Sequence, residues 1–588
     1  MVLVGNYQSI VNRVLDIPEI LELIFSFVDQ QTNATSAQVC KKWSDPALSL
    51  LWREVDDLSR LFQILSPLSP INTPPDHQGV SRDQQQWVFT QSLQAGNWER
   101  FSRYSRHVRS IYFDEKENDR YLSERVFDEI ARTRLAFNIF PNLRELAWLT
   151  DDFKRVRLCI MFMHDSVTHL TVSLSRNTTY SISSFVGEVV LRMPTLTHLD
   201  LRFTTPASSL ESELSTLIRG VPKLQRIILP LFTITNRMIE ELSKLSSLGT
   251  IQFEFMPYQG RGSLEDISNL CPTLEDGAFP ALWDLSLSAK LPDAYKFLSS
   301  KFGPKNLTSF YVHVLSTAEP SEVTDFLTAV ADNCPLLTHL YIDLLISTTD
   351  ETSEVAPTKE RLAWNDIQPV LSLTNLVSFE LRWDRPLQVT QENIEEIAVK
   401  WPSLKVLLLN CEPTVPAEPS SLTLHALLPF ARHCPKIEEL GLYISASGEE
   451  ADLPLPSSVD IRPFKSLKRL CMGLSRISDP GPVALFLSQV CPPGCEVTSG
   501  VTWPEGFGVM EGTLNADNLS EVQTQAQTWW KHWQETNRTL PLLTRLRKEE
   551  REKRKALEME VEDLRMRCAV LTDRLGPVVS EHGTCIAL

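Results

Sequence analysis

The chain has 588 residues, 43% of them hydrophobic and 22% charged, proportions near the globular average that exclude wholesale disorder. Its formal net charge of -17 excludes a nucleic-acid phosphate backbone as the main partner, since that polyanion is bound by neutralising cations. Eleven scattered cysteines suit thiols in a reducing cytoplasmic or nuclear compartment better than a disulfide framework.

The opening stretch MVLVGNYQSIVNR holds no basic segment leading into an apolar one, so no secretory signal is expected. No window approaches the roughly 18 apolar residues of a membrane span. Around Asp16 a helix can start, with Pro18 in its first turn, where the missing N–H does no harm. Ile20, Leu21, Ile24, Phe25 and Val28 then recur at helical spacing and form one broad apolar face. A polar turn, DQQTNATS, follows. After it AQVCKKW and the set Ala47, Leu48, Leu51 and Trp52 return to helical spacing. Three short helices in about forty residues lie at the lower limit of what one core can stabilise. A partner surface would complete the burial.

The order LDIPEILELIFSFV, VCKKW, LLW resembles the F-box, the adaptor-docking module of SCF-type ubiquitin ligases, over residues 12–54. The resemblance implies docking on the adaptor Skp1 through Ile17, Pro18, Leu21, Ile24, Phe25, Val39, Cys40 and Trp43. Ile17 stands where Leu is usual, and DQQTNATS lacks the Leu or Ile that ordinarily starts the middle helix. The other reading of these helices is a cap on the domain that follows.

Residues 60–100 contain SPLSPINTPPDHQG, which reads as a linker or surface loop. Beyond it a unit recurs, with an apolar residue, a second three positions on and a third two after that. It begins at Val108, Leu143, Val167, Leu196, Leu224, Leu248 and Leu282, and again at Leu307, Leu337, Leu376, Leu404, Ile437 and Leu467. Over 101–500 the mean spacing is about 30 residues, just above the usual leucine-rich-repeat range. Helical residues and a proline break often precede the unit, as in VTDFLTAVADNCP. A lone strand–helix unit cannot bury its apolar face, but stacked neighbours can. The array resembles the irregular, longer-period leucine-rich repeats of F-box proteins. That implies an α/β solenoid with parallel strands on the concave face and helices on the convex one. No regular Asn or Cys follows the third apolar position, so no asparagine ladder is expected. ISTTDETSEVAPTK and ASGEEADLPLPSS read as acidic inserted loops.

Side chains alternate across a strand, so the residues between the apolar positions should face outward. They include Asp200 with Arg202, Tyr311 with His313, Tyr341 with Asp343, Glu380 with Arg382, then Asn410 and Tyr443. Aromatic and charged side chains side by side suit a client-binding face. His169, His198 and His339 share a Thr-His-Leu triplet, read as coincidence of a repeated motif. Cys491 and Cys495 (CPPGC) lack the spacing and nearby histidines of a zinc site. No phosphate-binding glycine loop, HExxH or Gly-x-Ser-x-Gly occurs, so neither catalysis nor a cofactor is expected.

The repeats stop near 500. Residues 501–540 read as irregular and 541–576 as a charged helix. Leu557, Val561, Leu564, Cys568, Leu571 and Leu575 form a heptad seam. It offers either self-association through a short coiled coil or docking on the array's end. The tail 577–588 ends in CIAL, which fits a prenylation box and makes Cys585 a lipidation candidate. The whole reads as a substrate-recognition subunit that binds a Skp1-type adaptor, and through it a cullin ligase, together with a protein client. The alternative is a leucine-rich-repeat scaffold outside ubiquitination, held peripherally at a membrane through Cys585.

Overall fold

The computed structural model describes residues 17–71, 86–116, 120–174, 181–254, 257–345, 360–414, 420–446, 462–501 and 516–575. Asp16, the expected acidic loop 346–359, the second one after Ala446, and Cys585 lie outside these. The chain forms two compact units, Met1–Ala318 with Asp325–Leu337, and Glu319–Thr324 with Thr338–Leu588.

The first unit begins with α1 (Pro18–Phe25), α2 (Gln30–Ser36) and α3 (Lys41–Leu51). Pro18 occupies the first turn of α1. The expected polar turn is itself α2. Its signal is the Asp29 cap, whose carboxylate accepts from the Thr32 N–H at 2.7 Å. With only Asn33 and Ser36 buried, α2 has no apolar periodicity to betray it. Asn33 Nδ2 instead donates to the Phe25 carbonyl at 3.1 Å, satisfying an acceptor at the end of α1. The two helical pieces expected after it are one helix, α3, which runs through Pro46.

Nine strands follow in the first unit's parallel ladder: β1 (Glu54–Val55), β2 (Ser110–Asp114), β3 (Glu145–Leu149), β4 (His169–Ser173), β5 (His198–Arg202), β6 (Arg226–Pro230), β7 (Thr250–Glu254), β8 (Asp284–Ala289) and β9 (Ser309–Val314). The second unit carries β10 (His339–Asp343), β11 (Ser378–Arg382), β12 (Val406–Leu409), β13 (Glu439–Leu442), β14 (Arg469–Cys471) and β15 (Glu496–Thr498). In each unit every strand pairs with its neighbour in sequence. All thirteen repeats coincide with strands, β2 to β14. In Leu196, Leu199 and Leu201, as in Leu404, Leu407 and Leu409, all three pattern residues are buried. Local sequence sets the intervening helices. Thr390 and Asn393 cap Gln391–Lys400 reciprocally, and Trp401-Pro402 ends it, because the residue before proline disfavours the helical conformation. Each unit is an α/β repeat solenoid of the leucine-rich-repeat kind.

Two expected segments differ. The linker 60–100 contains the helix Leu58–Phe62 in part, strands Leu68–Pro70 and Gln86–Phe89 paired antiparallel, and the helix Ala95–Ser105 in part. Its flanks are too apolar to be a linker: Leu61, Phe62, Leu65 and Trp98 are buried, and Phe62 packs edge-on against Phe127. The stretch 501–540 is helical from Ala516, as part of Ala516–Leu575. The helix runs through Pro541, with Trp533, Thr536 and Leu540 buried before it and Thr544 after it.

Candidate functional site

The three N-terminal helices separate two sets of apolar residues that look alike in sequence. Leu21 (1% exposed) and Phe25 (4%) form a small core with Ala47, and Trp43 packs edge-on against Phe25 with ring centroids 5.5 Å apart. These three docking candidates, Leu21, Phe25 and Trp43, therefore hold the unit together instead of presenting themselves. Ile17, Pro18, Ile24, Val39 and Cys40 are exposed as expected. Leu23, Phe27 and Val28, which were not among the docking candidates, are exposed as well, Phe27 at 82% and Val39 at 60%. Leu23 and Ile24 lie in the last turn of α1, and Phe27 and Val28 in the turn that follows it, where their N–H groups donate to the Ile24 and Phe25 carbonyls at 3.2 and 3.3 Å. The sequence carried the signal. LELIFSFV holds more apolar residues than one core face can use, so some must point outward. Single exposed apolar residues are ordinary, but a cluster of this size marks an interaction site.

On the first unit's ladder, the register Tyr112↔Ala147, Ala147↔Thr171 and Thr171↔Asp200 sets these residues in one row. Asp200 and Arg202 form an ion pair at 3.1 Å. Gln259 Nε2 donates to the other Asp200 oxygen at 2.8 Å, and Arg202 lies 4.8 Å over the Tyr258 ring. Arg202 and Tyr258 line an open groove of about 730 Å³ with Tyr112, Asp114, Lys116 and Asp151. Tyr311, half-buried, packs edge-on against Phe253. His313 is buried and not on the surface, because Phe232, in the left-handed region at φ 63, lies over it at 5.5 Å.

His169 and His198 are register partners and stack, with centroids 4.0 Å apart and planes at 15°. Each ring Nδ1 is bonded to the hydroxyl of the preceding threonine, Thr168 or Thr197, at 2.9 Å. Burial lowers the pKa of His198 below its ordinary value, and His169 and Arg226 push it the same way. Among the described residues no group of His, Cys, Asp and Glu is arranged to hold a metal.

In the second unit Arg382 pairs with Glu380 and reaches Asp343 at 3.8 Å. Burial raises the Glu380 pKa against the pull of Arg382, and Asp343 adds to the rise. Tyr341 is half-buried beside His339. Three expected surface residues are interior. Asp343 is buried and accepts the Leu345 N–H at 3.1 Å. Asn410, at φ 47, accepts the Trp383 N–H at 2.8 Å and donates to the Arg385 carbonyl at 2.7 Å. Tyr443 is buried beside Arg476, and burial raises its pKa. All three sit where a strand turns into its following loop, and there the loops cover what the strand pattern would expose.

The F-box-like family model matches residues 18–57. No curated protein matches the chain. Among solved structures, the leucine-rich repeat-containing protein LegL7 from Legionella pneumophila is 13% identical, with 53% of this chain and 86% of that chain covered and a TM-score of 0.29. The LRIM1/APL1C complex is also 13% identical, with 79% of this chain and 89% of that chain covered and a TM-score of 0.26. Among the described residues no helix is long and apolar enough to cross a membrane.

Proposed function

We propose that this chain, an F-box-like domain joined to leucine-rich-repeat solenoid units, is the substrate-recognition subunit of an SCF-type ubiquitin ligase. One observation carries the reading. The F-box-like domain closes its own core with Leu21, Phe25 and Ala47 and still exposes Leu23, Ile24, Phe27, Val28 and Val39. That leftover surface suits docking on Skp1, and through Skp1 on a cullin. Burying one such large side chain contributes roughly 1.5–3 kcal/mol, so a few suffice for a specific complex. The client is a protein held on the strand faces. Its candidate contacts are Asp200, Arg202 and Tyr311 in the first unit and Tyr341, Glu380 and Arg382 in the second. The ligase chemistry belongs to other subunits, and this chain contributes proximity.

The test is a pull-down of the full chain with purified Skp1, comparing wild type with the double variant Phe27→Asp, Val39→Asp. Both residues are exposed, so the thermal melt should not change. Binding should fall at least about thirtyfold, the loss that a pair of interface anchors typically brings. Equal capture of wild type and variant would overturn the docking surface. Failure of the wild type to bind would leave the scaffold reading in its place.

A further inference from the structure

The helix Ala516–Leu575 has two different halves. In the first, Trp533, Thr536, Leu540 and Thr544 are buried against the second unit's end, where the helix packs on Pro480–Val490. Arg551 still donates to the Gln489 carbonyl at 3.4 Å. From Glu552 to Leu571 every residue is exposed, with Leu557, Val561, Leu564 and Leu571 open to solvent. Between the halves Arg547, Glu550 and Arg554 interrupt the apolar stripe, which resumes at Leu557. In one continuous heptad register Trp533 and Leu540 hold a positions and Thr536 a d position. Leu557, Leu564 and Leu571 are then d, with Val561 and Cys568 at a. A second apolar stripe in the same register therefore stands beyond the body on which the helix docks.

We propose that this exposed half binds a second copy of the chain as a parallel, in-register two-stranded coiled coil. The a positions hold Arg554, Val561 and Cys568; valine at a with leucine at d suits two strands, and the e and g charges set their orientation. The flanking charges suit a copy of the same sequence. In that register Lys553 at g faces the copy's Glu558 at e, and Glu560 at g faces the copy's Arg565 at e. Each pair occurs twice by symmetry, and all four are attractive. Among the remaining charges, Arg567 pairs with Asp563 along the lone helix at 2.8 Å. The register also places the exposed Cys568 across the seam from its own copy.

The full chain should sediment as a concentration-dependent dimer. Leu557→Asp with Leu564→Asp should make it monomeric without shifting its thermal melt, since both side chains are exposed. Glu560→Lys should weaken dimerisation several-fold, and adding Arg565→Glu should restore it. Copper-phenanthroline, which takes two electrons and two protons from a pair of thiols, should cross-link wild type but not Cys568→Ser at twice the chain mass. A monomer at every concentration, or a dimer indifferent to the two aspartates, would overturn the proposal. A dimer that Cys568 never cross-links would overturn the parallel register. None of these readouts involves Skp1, so they stand apart from the ligase reading.

Discussion

Leu21 and Phe27 belong to one short apolar run yet should respond oppositely to truncation. Leu21 is buried with Phe25 and Ala47, so Leu21→Ala opens a cavity and should cost about 2–5 kcal/mol, read as early proteolysis of the N-terminal helices. Phe27→Ala removes an exposed ring and should change stability by under about 0.5 kcal/mol while weakening adaptor capture. Of the two stacked histidines, His198 gives a pH-dependent contribution. The pKa of His198 is lowered in the fold from its ordinary 6.5, so the folded chain favours the neutral ring. Its contribution is fully present above 6.5, fades as pH falls from there, and is lost below the depressed folded value. The groups facing it are His169, Arg226 and, opposing them, Glu145. The melting temperature of wild type should therefore fall more between pH 7.5 and 5.5 than that of His198→Gln. Equal falls would show that His198 does not contribute to the pH dependence.

Strands were legible element by element because each needs only three apolar residues at fixed offsets, and that period survives irregular helices and loops between. The two terminal strands were not. β1 and β15 each bury a single valine, Val55 or Val497, and one apolar residue makes no pattern. Outward-facing positions were legible only along the strand itself. Asp200, Arg202 and Glu380 keep partial exposure, while Phe232 lies over His313. Asn410 is bonded to Trp383 and Arg385 of the preceding repeat, and Asp343 is bonded to the N–H of Leu345 in the loop that follows it. Asn410 shows the consequence. Its side chain serves a donor at Trp383 and an acceptor at Arg385 from a left-handed backbone. Asn410→Ala should orphan both and cost about 2 kcal/mol or more, visible in thermal melting. Arg202→Ala, which breaks a partly exposed ion pair, should cost under about 1 kcal/mol. A neutral Asn410→Ala would return that position to the candidate client face.

At the scale of the whole molecule, a parallel ladder must end somewhere, and its last strand offers unpaired backbone groups to any passing chain. Repeat proteins end on atypical capping elements for this reason. Here the first half of the helix Ala516–Leu575 is that cap for the second unit. Asn537 Oδ1 accepts the Val497 N–H of β15 at 2.9 Å, taking a donor that another strand would otherwise claim. Trp533 is fully buried, and its indole N–H donates to the Ser475 carbonyl at 2.9 Å. Trp533→Ala should remove the cap's anchor at a cost of about 3–5 kcal/mol. Interactions in a repeat array run between nearest neighbours, so the loss should stay local. Hydrogen exchange should quicken in β15 and β14 while β2 to β6 keep their protection. The exposed d positions should respond differently, since Leu564→Asp leaves exchange in β15 as it was. If Trp533→Ala instead left β15 protected, the helix would be an appendage of the ladder and not its cap.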